Sequence, residues 1–176
     1  MQTGLIRPAP SERPDVLAAG QRPERPARAR REAELWPLPG LCWNARVTTS
    51  FGELPVQALR VRDPVRTASG NYVPVRWVDQ IHLDEAFLAE CPDALPVVIP
   101  AHCFGPGRPA QALAVSPSQK LNAATTDFGT DLRPARELLD RPGVTRKPET
   151  GMTYYLFHCG APEMVRIEGL FVPTAP

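Results

Sequence analysis

The chain has 176 residues, 43% hydrophobic and 22% charged, which is enough for one ordinary domain with a tail and too few for two full domains. A formal net charge of +1 excludes the overall field that draws a protein to nucleic acid or to an anionic membrane. Twenty-two prolines argue against long helices, and four cysteines in a chain this size are too few for a disulfide scaffold, so they read as reduced thiols.

Residues 1–36 stand apart from the rest. Residues 1–35 hold five prolines and seven arginines against five acidic residues, with almost no apolar periodicity. Such a stretch cannot bury enough surface to offset the entropy of ordering it. A disordered Pro/Arg-rich arm is expected, with at most a helical turn or two near residues 27–35. Its arginines are too closely balanced by acidic neighbours to read as a nucleic-acid tail. The first residues lack the apolar core of a secretory signal, and no later run approaches the ~18 apolar residues of a membrane span. A cytoplasmic location without nucleic-acid or membrane partners is therefore expected. Lysine occurs only as Lys120 and Lys147, an arginine bias shared with GC-rich bacteria.

Residues 37–176 change in texture. Residues 46–49 alternate as a strand, Phe51-Gly52-Glu53 turns the chain, and a second edge runs through Leu54 towards 63–67. Ala68-Ser69-Gly70-Asn71 is a further turn, and residues 72–78 read as a strand with apolar side chains on one face. Residues 83–90 form the best helical candidate, closed by Cys91-Pro92. Val97-Val98-Ile99 is a short buried strand between prolines, and Gly105-Pro106-Gly107 is a turn. Residues 112–115 and 120–123 flank Ser116-Pro117-Ser118-Gln119. A second short helix is expected over 133–139, then two closing strands over 153–159 and 163–167. Short strands with recurrent turn signals predict an all-β domain with minor short helices.

In this order the motifs resemble the bacterial Hedgehog/intein (Hint) domains. Gly52-Glu53-Leu54-Pro55-Val56 with Leu59, Asp63 and Val65 is similar to the family's opening, and Pro74-Val75-Arg76-Trp77-Val78 to one of its strands. Ile99, the Gly105-Pro106-Gly107 turn, Pro109, Leu113, Val115-Ser116-Pro117, Pro134-Ala135-Arg136, Thr153-Tyr154 and Glu168-Gly169-Leu170 follow at the family's spacing. The resemblance covers about residues 38–173. It implies a horseshoe-like β fold whose termini meet near a central cleft.

It also implies a chemistry. In the family, the first residue of the domain, usually cysteine, attacks the preceding carbonyl and converts a peptide bond to a thioester. That step needs a thiolate and an acid to protonate the leaving nitrogen. The acid is normally a histidine ending a Ser-Pro-Gln-His tetrad; here the tetrad is Ser116-Pro117-Ser118-Gln119, and glutamine has no proton to give at neutral pH. The second family histidine, aligned without gaps from Thr153, falls on Pro162. For the nucleophile two alternatives stay open. Cys42 precedes an aromatic residue as in the family, whereas a gapless alignment puts Gly40 at that position.

The resemblance thus implies a degenerate autoprocessing fold acting as a structural or interaction module with a protein partner. The alternative is single-turnover cleavage in which Cys42 makes the acyl shift and releases residues 1–41, with His158 or His102 as a replacement acid. No cofactor and no metal are expected. His102 and Cys103 are adjacent, as are His158 and Cys159, and neighbours on a strand face opposite ways, so each pair offers one inward ligand at most. With Cys91 and His82 they read as core thiols and surface imidazoles.

Overall fold

The computed structural model describes residues 35–126 and 129–174, and in it the chain runs almost entirely through short strands and turns. The expected arm lies outside the described residues except for Leu35, which is exposed, and Trp36, which is buried. In β1 (Arg46–Thr49) the alternation buries Val47 and Thr49. Its hairpin into β2 (Gly52–Pro55) closes where the Thr49 hydroxyl donates to the Gly52 carbonyl at 2.7 Å and accepts from the Phe51 amide at 3.1 Å. Gly52 supplies the φ of +108° that the turn needs, a value strained for any side chain.

A 3-10 turn (Val56–Ala58) leads to β3 (Pro64–Arg66) and β4 (Tyr72–Pro74). The single strand expected over 72–78 is in fact two. At Val75 the amide donates to Asp63, and at Arg76 it donates to His158, so the chain changes partner and begins β5 (Trp77–Leu83). Leu83 is therefore the end of a strand, and the expected helix is shortened to α1 (Glu85–Glu90). Asp84 caps it, accepting from the Phe87 amide at 2.8 Å.

After a 3-10 turn (Pro92–Ala94) come β6 (Val97–Ile99), β7 (Leu113–Val115), β8 (Lys120–Asn122) and β9 (Leu132–Pro134). The second expected helix is only a 3-10 turn (Ala135–Leu138). Its first two amides, which have no partner within a helix, tie it to the tetrad: Ala135 donates to the Gln119 carbonyl at 2.9 Å and Arg136 to that of Pro117 at 3.0 Å. The chain closes with β10 (Thr145–Arg146), β11 (Met152–His158), β12 (Glu163–Ile167) and β13 (Leu170–Thr174). With one six-residue α-helix, the described chain has the all-β character expected of it.

Pairing brings the two ends of this region together. The largest sheet has the order β13-β12-β1-β3-β4, with β2 also on β1. Pro173 is tolerated in β13 because that strand is the sheet's edge. A second sheet is β10-β6-β7, and two ribbons pair β11 with β5 and β8 with β9. Glu168, at the tight turn after β12, staples that turn to β1 by accepting the Arg46 amide on its carboxylate at 3.0 Å. Burial pushes its carboxyl above the ordinary range.

Two apolar clusters lie inside. The larger includes Val47, Val65, Ile99, Phe104, Leu113, Leu121, Leu138, Val165 and Ile167. The smaller joins Trp36, Cys42, Leu83, Leu88, Ala94 and Tyr154. Leu41 and Cys42 are neighbours in sequence and point to opposite sides, so each enters a different cluster. Among the described residues no helix is long and apolar enough to cross a membrane.

Candidate functional site

The segment from Trp36 to Cys42 is laid between β11 and the connection from β7 to β8. Leu41 bridges both Val115 and Tyr155, exchanging two backbone hydrogen bonds with Tyr155 at 2.9 and 2.8 Å. The Cys42 amide donates to the Ala114 carbonyl at 3.0 Å, and the Gly40 carbonyl accepts from the Ser116 amide at 2.9 Å. This register carries the chain just before Leu41 across the tetrad.

The tetrad is a turn, closed by the Gln119 amide on the Ser116 carbonyl at 3.0 Å. Its backbone is also held by the 3-10 turn at 135–138, through the Ala135 and Arg136 amides. Ser116 is fully buried, and its hydroxyl donates to the Leu38 carbonyl at 2.5 Å. Gln119 is also buried; its Oε1 accepts from the Gly40 amide at 3.0 Å and its Nε2 donates to the Lys120 carbonyl at 3.1 Å. Both ends of the carboxamide are engaged, so its orientation follows from its partners.

Two of the anticipated site residues, Ser116 and Gln119, thus meet at the backbone around Gly40. A cavity of about 50 Å³ opens beside them, lined by Pro39, Gly40, Trp77, Gln119, Phe157 and Thr174 among others. A cavity of this volume has room for water. There is no space for a side chain at position 40, since a Cβ there would stand 2.7 Å from the Cβ of Tyr154.

Cys42 and Pro162 lie elsewhere. Pro162 is in the exposed turn between β11 and β12 and is not among the residues lining the cavity. The Cys42 thiol sits in the smaller apolar cluster at 7% exposure. Burial pushes it up to about 12, Glu149 adds to the shift and Lys147 opposes it. Each histidine considered as a replacement acid has its Nδ1 engaged by a nearby amide: His158 Nδ1 accepts from the Gly160 amide at 3.1 Å while its ring stacks on Trp77, and His102 Nδ1 accepts from the Gly107 amide at 2.8 Å. His82 pairs with Thr153 at 3.1 Å. All four cysteines are free thiols, and the described residues contain no group of three or more His, Cys, Asp or Glu placed to hold a metal ion.

A thiol raised this far has a checkable behaviour. At about pH 8 only roughly one Cys42 in ten thousand is ionised, so native protein should leave it unmodified by iodoacetamide while urea-unfolded protein labels readily. Between about pH 9 and 12 the unfolded chain gives up a proton that the folded chain keeps. Stability should therefore fall as pH rises through that window, by up to about 1.4 kcal/mol per pH unit from this group, and Cys42→Ala should remove that part of the slope. Peptide mass mapping and denaturant titrations at several pH values read both effects.

The chain matches the Hint domain family over residues 39–175. It belongs to that family. Among solved structures it is similar to the MchDnaB-1 intein, at 8% identity and a TM-score of 0.48 over 77% of this chain and 99% of that one. It is similar also to the gp41-1 intein, at 10% identity and a TM-score of 0.46 over 77% of this chain and 98% of that one. No curated protein sequence matches it.

Proposed function

We propose that this Hint domain does not process itself and serves as a structural or interaction module for a protein partner. The observation that carries the reading is the hydrogen bond from the Gly40 amide to Gln119 Oε1. Gly40 is then the residue that follows the would-be scissile bond, and Gln119 is the group facing the nitrogen that would have to leave. Cleavage of the bond between Pro39 and Gly40 needs a nucleophile at position 40 and a proton delivered to that nitrogen. Glycine offers no nucleophile, and the carboxamide presents an acceptor oxygen where a proton donor is required. Pro162 cannot titrate and lies outside the cavity lining.

The alternative through Cys42 requires its sulfur to bond to the Leu41 carbonyl carbon while the C–N bond breaks and the thiol proton passes to the nitrogen. That nitrogen is Cys42's own, already paired with the Ala114 carbonyl, and the thiol is held protonated by burial. Neither favours the shift. The test is intact mass: the purified full chain, incubated with dithiothreitol or hydroxylamine, is expected to keep its full-length mass. A product lacking residues 1–41 and abolished by Cys42→Ala overturns the proposal, as does one lacking residues 1–39.

A further inference from the structure

Upstream of Gly40 one residue is treated differently from its neighbours. Leu35, Pro37, Leu38 and Pro39 are exposed, while Trp36 is buried at 8% exposure. Both of its main-chain groups are taken by side chains from separate parts of the fold. Its amide donates to Asp93 Oδ2 at 2.8 Å, and its carbonyl accepts from Arg136 Nη2 at 2.7 Å and from the Ser118 hydroxyl. Asp93 is itself fixed by Arg146, 2.6 Å from its other carboxylate oxygen, and Arg136 is bonded to Ser118. The indole stands edge-on to Phe87, ring centroids 5.7 Å apart, and stacks on Tyr154 at 6.3 Å.

The main-chain groups of any buried residue must be paired, but here the partners are side chains and not neighbouring backbone. Charged partners on both flanking backbone groups fix where the main chain enters and leaves, which is what recognition of a peptide residue requires. We infer that the hollow formed by α1, the 92–94 turn and Tyr154 of β11 is an aromatic-selective binding site for the residue four positions before Gly40. Asp93, Arg136 and Ser118 act there as positioning residues that hold the Pro39–Gly40 junction against Gln119. The occupant is the chain's own Trp-Pro-Leu-Pro segment, whose two prolines restrict the backbone and lower the entropy lost on docking. This holds whether or not the junction is ever cut.

The selectivity rests on the ring contacts with Phe87 and Tyr154. Phenylalanine keeps a ring in the hollow, whereas alanine empties it.

Amide hydrogen exchange on the full chain tests this, with the Gly40 and Leu41 amides as reporters of docking and those of β1 and β12 as reporters of the domain. Trp36→Ala is expected to speed exchange at Gly40 by about tenfold or more, and Trp36→Phe to stay within about threefold of wild type, with β1 and β12 unmoved in both. Arg136→Gln leaves the ring in place and should speed Gly40 several-fold, which serves if Trp36→Ala fails to fold. The inference is overturned if Trp36→Phe opens the segment as far as Trp36→Ala, or if Arg136→Gln leaves Gly40 protected as in wild type.

Discussion

Replacing Gly40 by alanine is expected to destabilise the protein by about 3 kcal/mol, the upper end of what overpacking a filled interior costs. In a domain of this size that corresponds to a melting temperature lower by roughly 6–12 °C, readable by calorimetry. The cause is a clash between two Cβ atoms whose positions the backbone fixes. The added Cβ would lie 2.7 Å from Tyr154 Cβ, and neither atom sits on a side chain that can swing away. Relief requires β11 and the segment before Leu41 to part, which strains the paired bonds between Leu41 and Tyr155. A cysteine grafted at position 40 carries the same Cβ and meets the same wall. An alanine variant as stable as wild type would mean that the two strands separate freely, and the account of the site would fail with it.

Tyr154→Ala is expected to cost more, about 4–5 kcal/mol, a large part of the ~5–15 kcal/mol that holds a typical domain folded. Tyr154 is fully buried, its ring stacks on Trp36, and its hydroxyl donates to the Ala94 carbonyl at 2.7 Å. Truncation leaves a cavity and an unpaired carbonyl together. Tyr154→Phe separates the two contributions, since it keeps the ring and loses only the hydrogen bond, for about 1–2 kcal/mol. Urea midpoints of the two variants measure the difference. Because alanine retains its Cβ, Tyr154→Ala should not rescue Gly40→Ala, and a stabilising coupling between them would contradict the contact described above.

Much of the frame was legible because its strands alternate or are enclosed by prolines. Residues 46–49 and 97–99 are strands as their patterns predict. Legibility ended where tertiary partners overrode local pattern. Leu83 looks like the first apolar residue of a helix but is buried opposite Met152 in a ribbon. The Arg136 region has helical composition, yet it forms only a four-residue 3-10 turn tied to the tetrad. The start of β5 is exposed from Trp77 to Gln80, so nothing in its apolar pattern marks it as a seven-residue strand.

The site was legible in the same uneven way. Ser116 and Gln119 could be named from the tetrad because one turn carries both. Whether Gly40 or Cys42 stands opposite them could not, since that depends on how a two-residue shift is absorbed, and a shift of two keeps the same side chains on the same face. The register of Leu41 on Tyr155 and Val115 is what puts Gly40 on Gln119. The contributions of Asp93 and Ser118 had no local signal, because each acts on a backbone group more than 50 residues away.

The enclosure of the Gly40 nitrogen bears on what would become of a severed chain. Hydrolysis before Gly40 would turn a neutral amide into an ammonium in a pocket where the group facing it is an uncharged carbonyl oxygen. Such a charge is poorly solvated there. The new end would have to find further acceptors or move outward towards water, loosening the bonds around Leu41 as it went.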